Sequence, residues 1–280
     1  MPGLRWLLSI KVPFLVNLLL IGLGLFLFFR WFENVNLYFP VRSVDVTPQV
    51  LGLAFDEAAF VAADGVRLQG WHVPSAKPDA PVVVFFNGNG GNIGHRLEKL
   101  AILHRLGLSV LLFDYRGYGA SLGRPSEKGL YADGEAAYRY LRDVRKVPSE
   151  RLIAHGESIG GAVALELASR LPVGAVILES AFTSVVEMGQ RVYPLLPVGL
   201  LVRQRYDNLS RIGRIQAPLL VMHSSQDDIV PYEIGRRLFQ SAPQPKAFAE
   251  LRGGHNEGFL ESGEAYPKAI RDFLARHLPK

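Results

Sequence analysis

The chain has 280 residues, 49% hydrophobic and 20% charged, which suffices for one large α/β domain plus an extra segment and excludes a disordered chain. Its net charge of +5 arises from Lys and Arg spread along the sequence, without a basic run or a basic–aromatic cluster, so nucleic acid is not an expected partner. The absence of cysteine removes disulfides, zinc–thiolate sites and thiol nucleophiles together.

Val12 to Phe29 is a stretch of about eighteen residues without a charge, preceded by Arg5 and Lys11 and followed by Arg30. At helical rise this length nearly spans a hydrocarbon core, and Trp6, Trp31 and Tyr38 flank it as interface aromatics do. A cleaved signal peptide requires a small-x-small site, but Phe-Phe-Arg-Trp-Phe follows directly. A buried core helix is seldom apolar on every face at the extreme N-terminus. The expectation is therefore an uncleaved signal anchor over residues 1–33. Arg5, Lys11 and the terminal amine outweigh Arg30, which places the short tail inside and the large domain on the non-cytoplasmic side.

Residues 34–56 read as a connector, and the domain proper spans 57–280. Glu57 to Ala62 and Arg67 to Val73 flank the turn Ala63-Asp64-Gly65 as a hairpin. Val82 to Phe86 is a continuous apolar run, hence a strand buried on both faces, and Ser109 to Phe113 is another buried strand. Ile93 to Leu106 and Ser126 to Arg145 have helical periodicity. The strand around Leu152, then Gly174 to Leu178, Leu219 to His223 and Ala247 to Leu251, continue the sheet; Glu233 to Gln240 and Ala265 to Leu278 are helices. Strands alternating with helices predict a mostly parallel sheet covered on both faces. Ala181 to Arg214 breaks the alternation. It is rich in Val, Leu, Tyr and Pro, and its apolar residues predict a cap over a site mouth.

The chemistry centres on Arg151 to Ala164, where an apolar run meets Gly156-Glu157-Ser158-Ile159-Gly160 and continues as a small-residue helix. Strand, G-x-S-x-G, helix is the context of a nucleophile elbow, in which Ser158 takes a positive φ and side chains at the flanking positions would collide. A serine hydroxyl needs a general base, and the base needs a carboxylate. The strand ends of a parallel sheet converge at its carboxyl edge, so both are sought after later strands. Asp227, with Asp228 as its neighbouring rival, follows one such strand; Glu179 is a further alternative acid. His255 follows the last strand behind two glycines, and the other six histidines have plainer structural explanations. The order Ser158, Asp227, His255 suits this architecture. The oxyanion requires donors: the backbone N–H of Ile159 at a helix start, and Asn89 N–H in the loop Asn87-Gly88-Asn89-Gly90-Gly91-Asn92. That loop carries neither G-x-x-x-x-G-K-[ST] nor G-x-G-x-x-G in register, so a phosphate cradle is set aside. No cofactor is called for, and no residues stand at metal-ligand spacing.

With these motifs the chain resembles the α/β-hydrolase superfamily, and more narrowly membrane-anchored serine hydrolases of the α/β-hydrolase domain-containing type, relatives of protein depalmitoylases. The resemblance runs from about Leu37 to the C-terminus. It rests on Tyr38-Phe39-Pro40, Ala63-Asp64-Gly65, Gly88 to Ile93, Asp114 to Gly119, Gly156 to Gly161, Glu179 to Ser184, His223 to Asp227 and Gly253 to Asn256. It implies an α/β-hydrolase fold and a triad of Ser158, Asp227 and His255, choosing Asp227 over Asp228, with Asn89 and Ile159 as oxyanion donors. Two positions depart from the family pattern: Asn87 stands where histidine is usual, and Ser224 where glycine is usual. The implied activity is hydrolysis of a carboxylic ester or thioester through an acyl-enzyme. The substrate expected is a small-molecule or acyl-chain compound, lipid-like by virtue of the anchor and the apolar 181–214 segment. An amidase or peptidase on the same triad is the alternative enzyme, and a non-catalytic anchored binding protein the alternative outside enzymes.

Overall fold

The computed structural model describes the backbone of residues 3–278 and the side chains of residues 14–278. The ends of the expected anchor and of the closing segment, and the side chains of Arg5 and Lys11, lie outside the described residues.

The strands in chain order are β1 (Phe39–Pro40), β2 (Asp56–Val61), β3 (Arg67–Val73), β4 (Val82–Phe86) and β5 (Gly90–Gly91). They continue as β6 (Ser109–Phe113), β7 (Leu152–Glu157), β8 (Ala175–Glu179), β9 (Leu219–Ser224) and β10 (Lys246–Leu251). Eight of them form one sheet in the order β10-β9-β8-β7-β4-β6-β3-β2. From β10 to β6 the pairings are parallel, and the edge strands β2 and β3 join antiparallel. The hairpin turn closes with Gly65 at φ 84°, where a side chain would be strained.

The helices are α1 (Gly3–Leu37), α2 (Leu97–Arg105), α3 (Glu127–Arg139), α4 (Ile159–Ala168) and α5 (Val185–Val192). After these come α6 (Val198–Leu201), α7 (Leu209–Ile212), α8 (Tyr232–Ser241), α9 (Gly258–Glu261) and α10 (Ala265–His277). The pleat sorts the central strands between two cores. Val82, Val84 and Phe86 point to the side of α3, α4 and α8, packing with Leu130, Val163 and Leu238. Val83 and Phe85 point to the side of α2 and α10, packing with Leu100, Leu103 and Ile270. Both faces of β4 are thus buried, which is why its five residues are all apolar. This is the layered sheet that the resemblance implies.

Two expected helices differ from their periodicity. The segment after the glycine-rich loop begins as a 3-10 turn, Ile93–Arg96, before α2. Asn92 causes this: its Oδ1 accepts from Gly94 N at 2.9 Å, and its own N–H donates to His95 Nδ1 at 3.2 Å. The other helix starts under a Ser126 cap, whose Oγ accepts from Gly129 N at 3.1 Å, and leaves α geometry after Arg139 in a π-turn, Tyr140–Val144.

The N-terminal part is more closely joined to the domain than a connector would be. Helix α1 runs on to Leu37, and its Phe14–Leu37 stretch of 24 residues is long and apolar enough to cross a membrane. Directly after it, β1 pairs in parallel with β5, matching Phe39 to Gly90 and Pro40 to Gly91. Tyr38 is buried, and its hydroxyl shares a 2.7 Å hydrogen bond with that of Tyr206.

Candidate active site

Ser158 stands where β7 turns into α4, at φ 53° and ψ −117°, a region that side chains disfavour. The turn survives because its neighbours have no side chain. A Cβ on Gly156 would lie 2.3 Å from Gly160 O, and one on Gly160 would lie 2.0 Å from Phe86 O. Backbone bonds hold the strained serine from both sides: Ser158 N donates to Glu179 O at 2.9 Å, and Gly161 N to Ser158 O at 3.0 Å.

The loops after β9 and β10 bring the acid and base candidates together. His255 Nδ1 lies 2.8 Å from Asp227 Oδ2 and 3.0 Å from Oδ1. The two aspartates divide the histidine between them, since Asp228 Oδ1 accepts the His255 backbone N–H at 2.9 Å. Asp227 Oδ1 also accepts from Ile229 N at 3.0 Å and Val230 N at 2.7 Å. Burial alone would raise the Asp227 carboxyl, but the His255 ring and these two amides outweigh it and hold the group below its ordinary value. Ser224, at the position where glycine is usual, ties the two loops: its Oγ donates to Gly253 O at 2.5 Å. Gln226 Oε1 accepts from Gly253 N at 2.9 Å across the same gap. His223 is fully buried beneath the acid loop and bonds Val230 O through Nε2 at 2.8 Å, a bracing position.

Ser158 and His255 line one cavity. Among the described residues they make no hydrogen bond to one another, and such bonds commonly tighten only when substrate is bound. Asn89 and Ile159 line the same cavity, and neither backbone N–H has a protein acceptor among the described residues. Ile159 opens α4, where free N–H groups and the helix dipole favour negative charge. Asn89 is fixed through its other groups: its carbonyl accepts from Phe39 N at 2.9 Å and Tyr118 Oη at 2.7 Å, and its Nδ2 donates to Leu37 O at 3.0 Å. Asn87 braces the loop by donating from Nδ2 to Phe113 O at 2.9 Å.

Glu179 is not an acid partner of His255. It belongs to a buried charged cluster beneath the elbow. Lys99 Nζ lies 2.7 Å from Glu157 Oε2 and 2.9 Å from Glu179 Oε1, and 4.3 Å from the centre of the Phe259 ring. Tyr266 Oη donates to Glu179 Oε2 at 2.7 Å, and His155 Nε2 is 3.4 Å from the same oxygen. Burial opposes every charge here, but the pairing prevails: both carboxyls are held below the ordinary value and Lys99 above it. His155, buried, is pushed down and stays neutral. Sequence reading missed this cluster. Its signal was two carboxylates ending fully buried strands, Leu152–Glu157 and Ala175–Glu179, which requires a buried cation nearby.

The cavity measures about 910 Å³ and is walled chiefly by apolar groups. The 181–214 segment contributes Phe182, Val185, Met188, Val192 and Leu196, and α1 contributes Phe29 and Phe32. That the helix before the domain forms part of the wall was also not expected. Among the described residues, no three His, Asp or Glu side chains are gathered as metal ligands.

Comparison with known proteins places the fold. Residues 77–204 match the family described as serine aminopeptidase, S33. The chain is 39% identical over 265 residues to Rv2307c, an uncharacterized protein of Mycobacterium tuberculosis, covering 94% of each. It is 32% identical over 277 residues to the alpha/beta hydrolase domain-containing protein WAV2 of Arabidopsis thaliana, covering 89% of each. It is also 32% identical over 236 residues to YNL320W, an uncharacterized membrane protein of Saccharomyces cerevisiae, covering 81% of this chain and 82% of that one. Among solved structures, the esterase Pf2001 of Pyrococcus furiosus superposes with a TM-score of 0.73 at 20% identity, covering 87% of this chain and 99% of the esterase.

Proposed function

The chain belongs to the α/β-hydrolase superfamily, and we propose that it is a membrane-anchored serine hydrolase that cleaves carboxylic esters or thioesters with an apolar acyl group. The observation that carries this reading is the cavity shared by Ser158 and His255, with Asp227 bonded to the far nitrogen of the histidine ring. With the proton on Nδ1 held by Asp227, Nε2 of His255 is free to act as base. Ser158 Oγ attacks the carbonyl carbon while His255 takes the hydroxyl proton. The tetrahedral oxyanion is met by the N–H groups of Asn89 and Ile159, which line the cavity and have no protein acceptor among the described residues. Collapse expels the alcohol or thiol, which leaves with the proton from His255. Water then attacks the acyl-enzyme, giving its proton to the same histidine, and the acid departs as Ser158 is restored.

The apolar wall supports an acyl substrate, because burying each methylene contributes about 0.8 kcal/mol. The esterase likeness of the fold points the same way. The family description as serine aminopeptidase favours a second reading, amide cleavage by the same residues. In either case α1 anchors the enzyme, with the hydrolase domain on the non-cytoplasmic side.

Hydrolysis of p-nitrophenyl esters from acetyl to palmitoyl, beside aminoacyl p-nitroanilides, separates the readings. The proposal expects ester turnover with an optimum at a medium or long chain and its loss in Ser158→Ala. Turnover of the anilides alone would replace it with the amidase reading.

A further inference from the structure

The cap places a strongly apolar tip in solvent. Tyr193-Pro194-Leu195-Leu196-Pro197 joins α5 to α6, and there Leu195 is 96% exposed. Leu200, on α6, is 87% exposed. Neither lines the cavity, so the substrate wall does not account for them. Their position relative to α1 does. Phe32 of α1 meets Tyr193 of the tip with ring centres 5.9 Å apart. Arg30 Nη2 donates to the carbonyl of Leu201. Glu33 Oε1 accepts the backbone N–H groups of Arg203 at 2.8 Å and Gln204 at 2.6 Å. The tip is therefore fastened to α1 at Arg30, the first charge after the apolar run and hence the level at which a spanning helix leaves the hydrocarbon. Below that level, Phe26, Leu27 and Phe28 are exposed on the helix. Beside the tip, Arg203 and Arg205 are exposed where lipid phosphates would stand.

We propose that the tip carrying Leu195 and Leu200 inserts into the bilayer leaflet from which α1 emerges, and that the cavity between them takes acyl substrate directly from that leaflet. The second half rests on the hydrolase reading; the first half does not. Two leucines that would be costly in water are buried among acyl chains. Phe29 and Phe32 of α1 and Val192 and Leu196 of the cap line the same cavity as Ser158, so an acyl chain entering beside the tip would meet apolar groups.

The test uses the full chain in phosphatidylcholine vesicles. The chain has no cysteine, so Leu200→Cys carries a single environment-sensitive nitrobenzoxadiazole label. Insertion predicts a blue-shifted emission quenched by spin-labelled phosphatidylcholine, whereas the same label at Arg271→Cys, on the exposed face of α10, serves as reference. A label at position 200 as polar and as unquenched as the one at position 271 overturns the proposal. This outcome does not depend on catalysis. In the second arm, the Leu195→Asp/Leu200→Asp double variant keeps fluorophosphonate labelling of Ser158 and turnover of soluble p-nitrophenyl butyrate. Its turnover of p-nitrophenyl palmitate embedded in the vesicles falls about tenfold or more. Equal palmitate turnover overturns direct uptake from the leaflet, and absence of probe labelling in the parent chain counts against the hydrolase reading alone.

Discussion

Nδ1 of His255 lies 2.8 Å from Oδ2 of Asp227, while the next residue, Asp228, accepts the backbone N–H of that histidine at 2.9 Å. One aspartate sets the ring tautomer; the other sets where the chain carrying the ring runs. The two therefore differ in what their loss does. Asp227→Asn presents an amide to the ring and favours the wrong tautomer, and ester turnover is expected to fall about 10,000-fold with little change in fold. Asp228→Asn keeps an oxygen for the His255 amide and is expected to lose about tenfold or less. Equal losses in kcat for the two variants would contradict this division.

The Lys99 cluster makes a prediction about stability. Lys99→Met leaves Glu157 and Glu179 in the interior without the cation that pairs them, and breaking a buried pair this way costs about 3–5 kcal/mol. Denaturant unfolding of the variant checks the size. The triple variant Lys99→Met/Glu157→Gln/Glu179→Gln removes the charges together and is expected to recover most of the loss. A triple variant less stable than Lys99→Met would show that the ion pairs were not the cause.

Asp114 gives a pH dependence of known sign. Burial pushes its carboxyl up to about 7, against the Ile93 amide bond and the Arg96 charge, which lower it. Its Oδ1 accepts from Ile93 N at 2.9 Å, while Oδ2 has no hydrogen-bond partner among the described residues. The folded value lies above the unfolded one, so the neutral form is favoured by folding. Its contribution is complete below the ordinary value of 3.8 and is lost as pH rises through about 7. Asp114→Asn cannot ionise. Its Tm relative to the parent is therefore expected to rise across this window, by roughly 2–4 °C for each kcal/mol. A Tm difference that is flat with pH would contradict this.

Much of this layout is legible in the residues themselves. Val82–Phe86 is apolar throughout, and Ser109–Phe113 after its first residue, because both faces of their strands are buried. The elbow is legible because Gly156 and Gly160 are sterically required on either side of Ser158. What stayed hidden depends on distant contacts. Nothing local to Asn34–Thr47 shows that Tyr38 will meet Tyr206, or that Phe39 will pair with Gly90 to brace Asn89. Glu179 ends a strand near the acid loop and so resembles a candidate acid; only the position of Lys99 on α2 shows its real partner. Ile93 to Leu106 has one helical period, yet the Asn92 side chain competes for the first amides and tightens the opening turn.

The sidedness of the domain is open to direct measurement. With no native cysteine to interfere, Arg271→Cys can be probed in spheroplasts with a membrane-impermeant maleimide. A non-cytoplasmic hydrolase domain predicts the same labelling before and after permeabilisation. Labelling that appears only after permeabilisation would reverse the orientation.

The central claim is that Ser158 is a nucleophile activated by His255, and a fluorophosphonate probe reads it most directly. The full chain should form a covalent adduct that peptide mass spectrometry maps to Ser158. Adduct formation should vanish in Ser158→Ala and slow by several orders of magnitude in His255→Ala, as expected for residues that act as a unit. A folded parent chain that takes up no probe, or an adduct on another residue, would contradict the account.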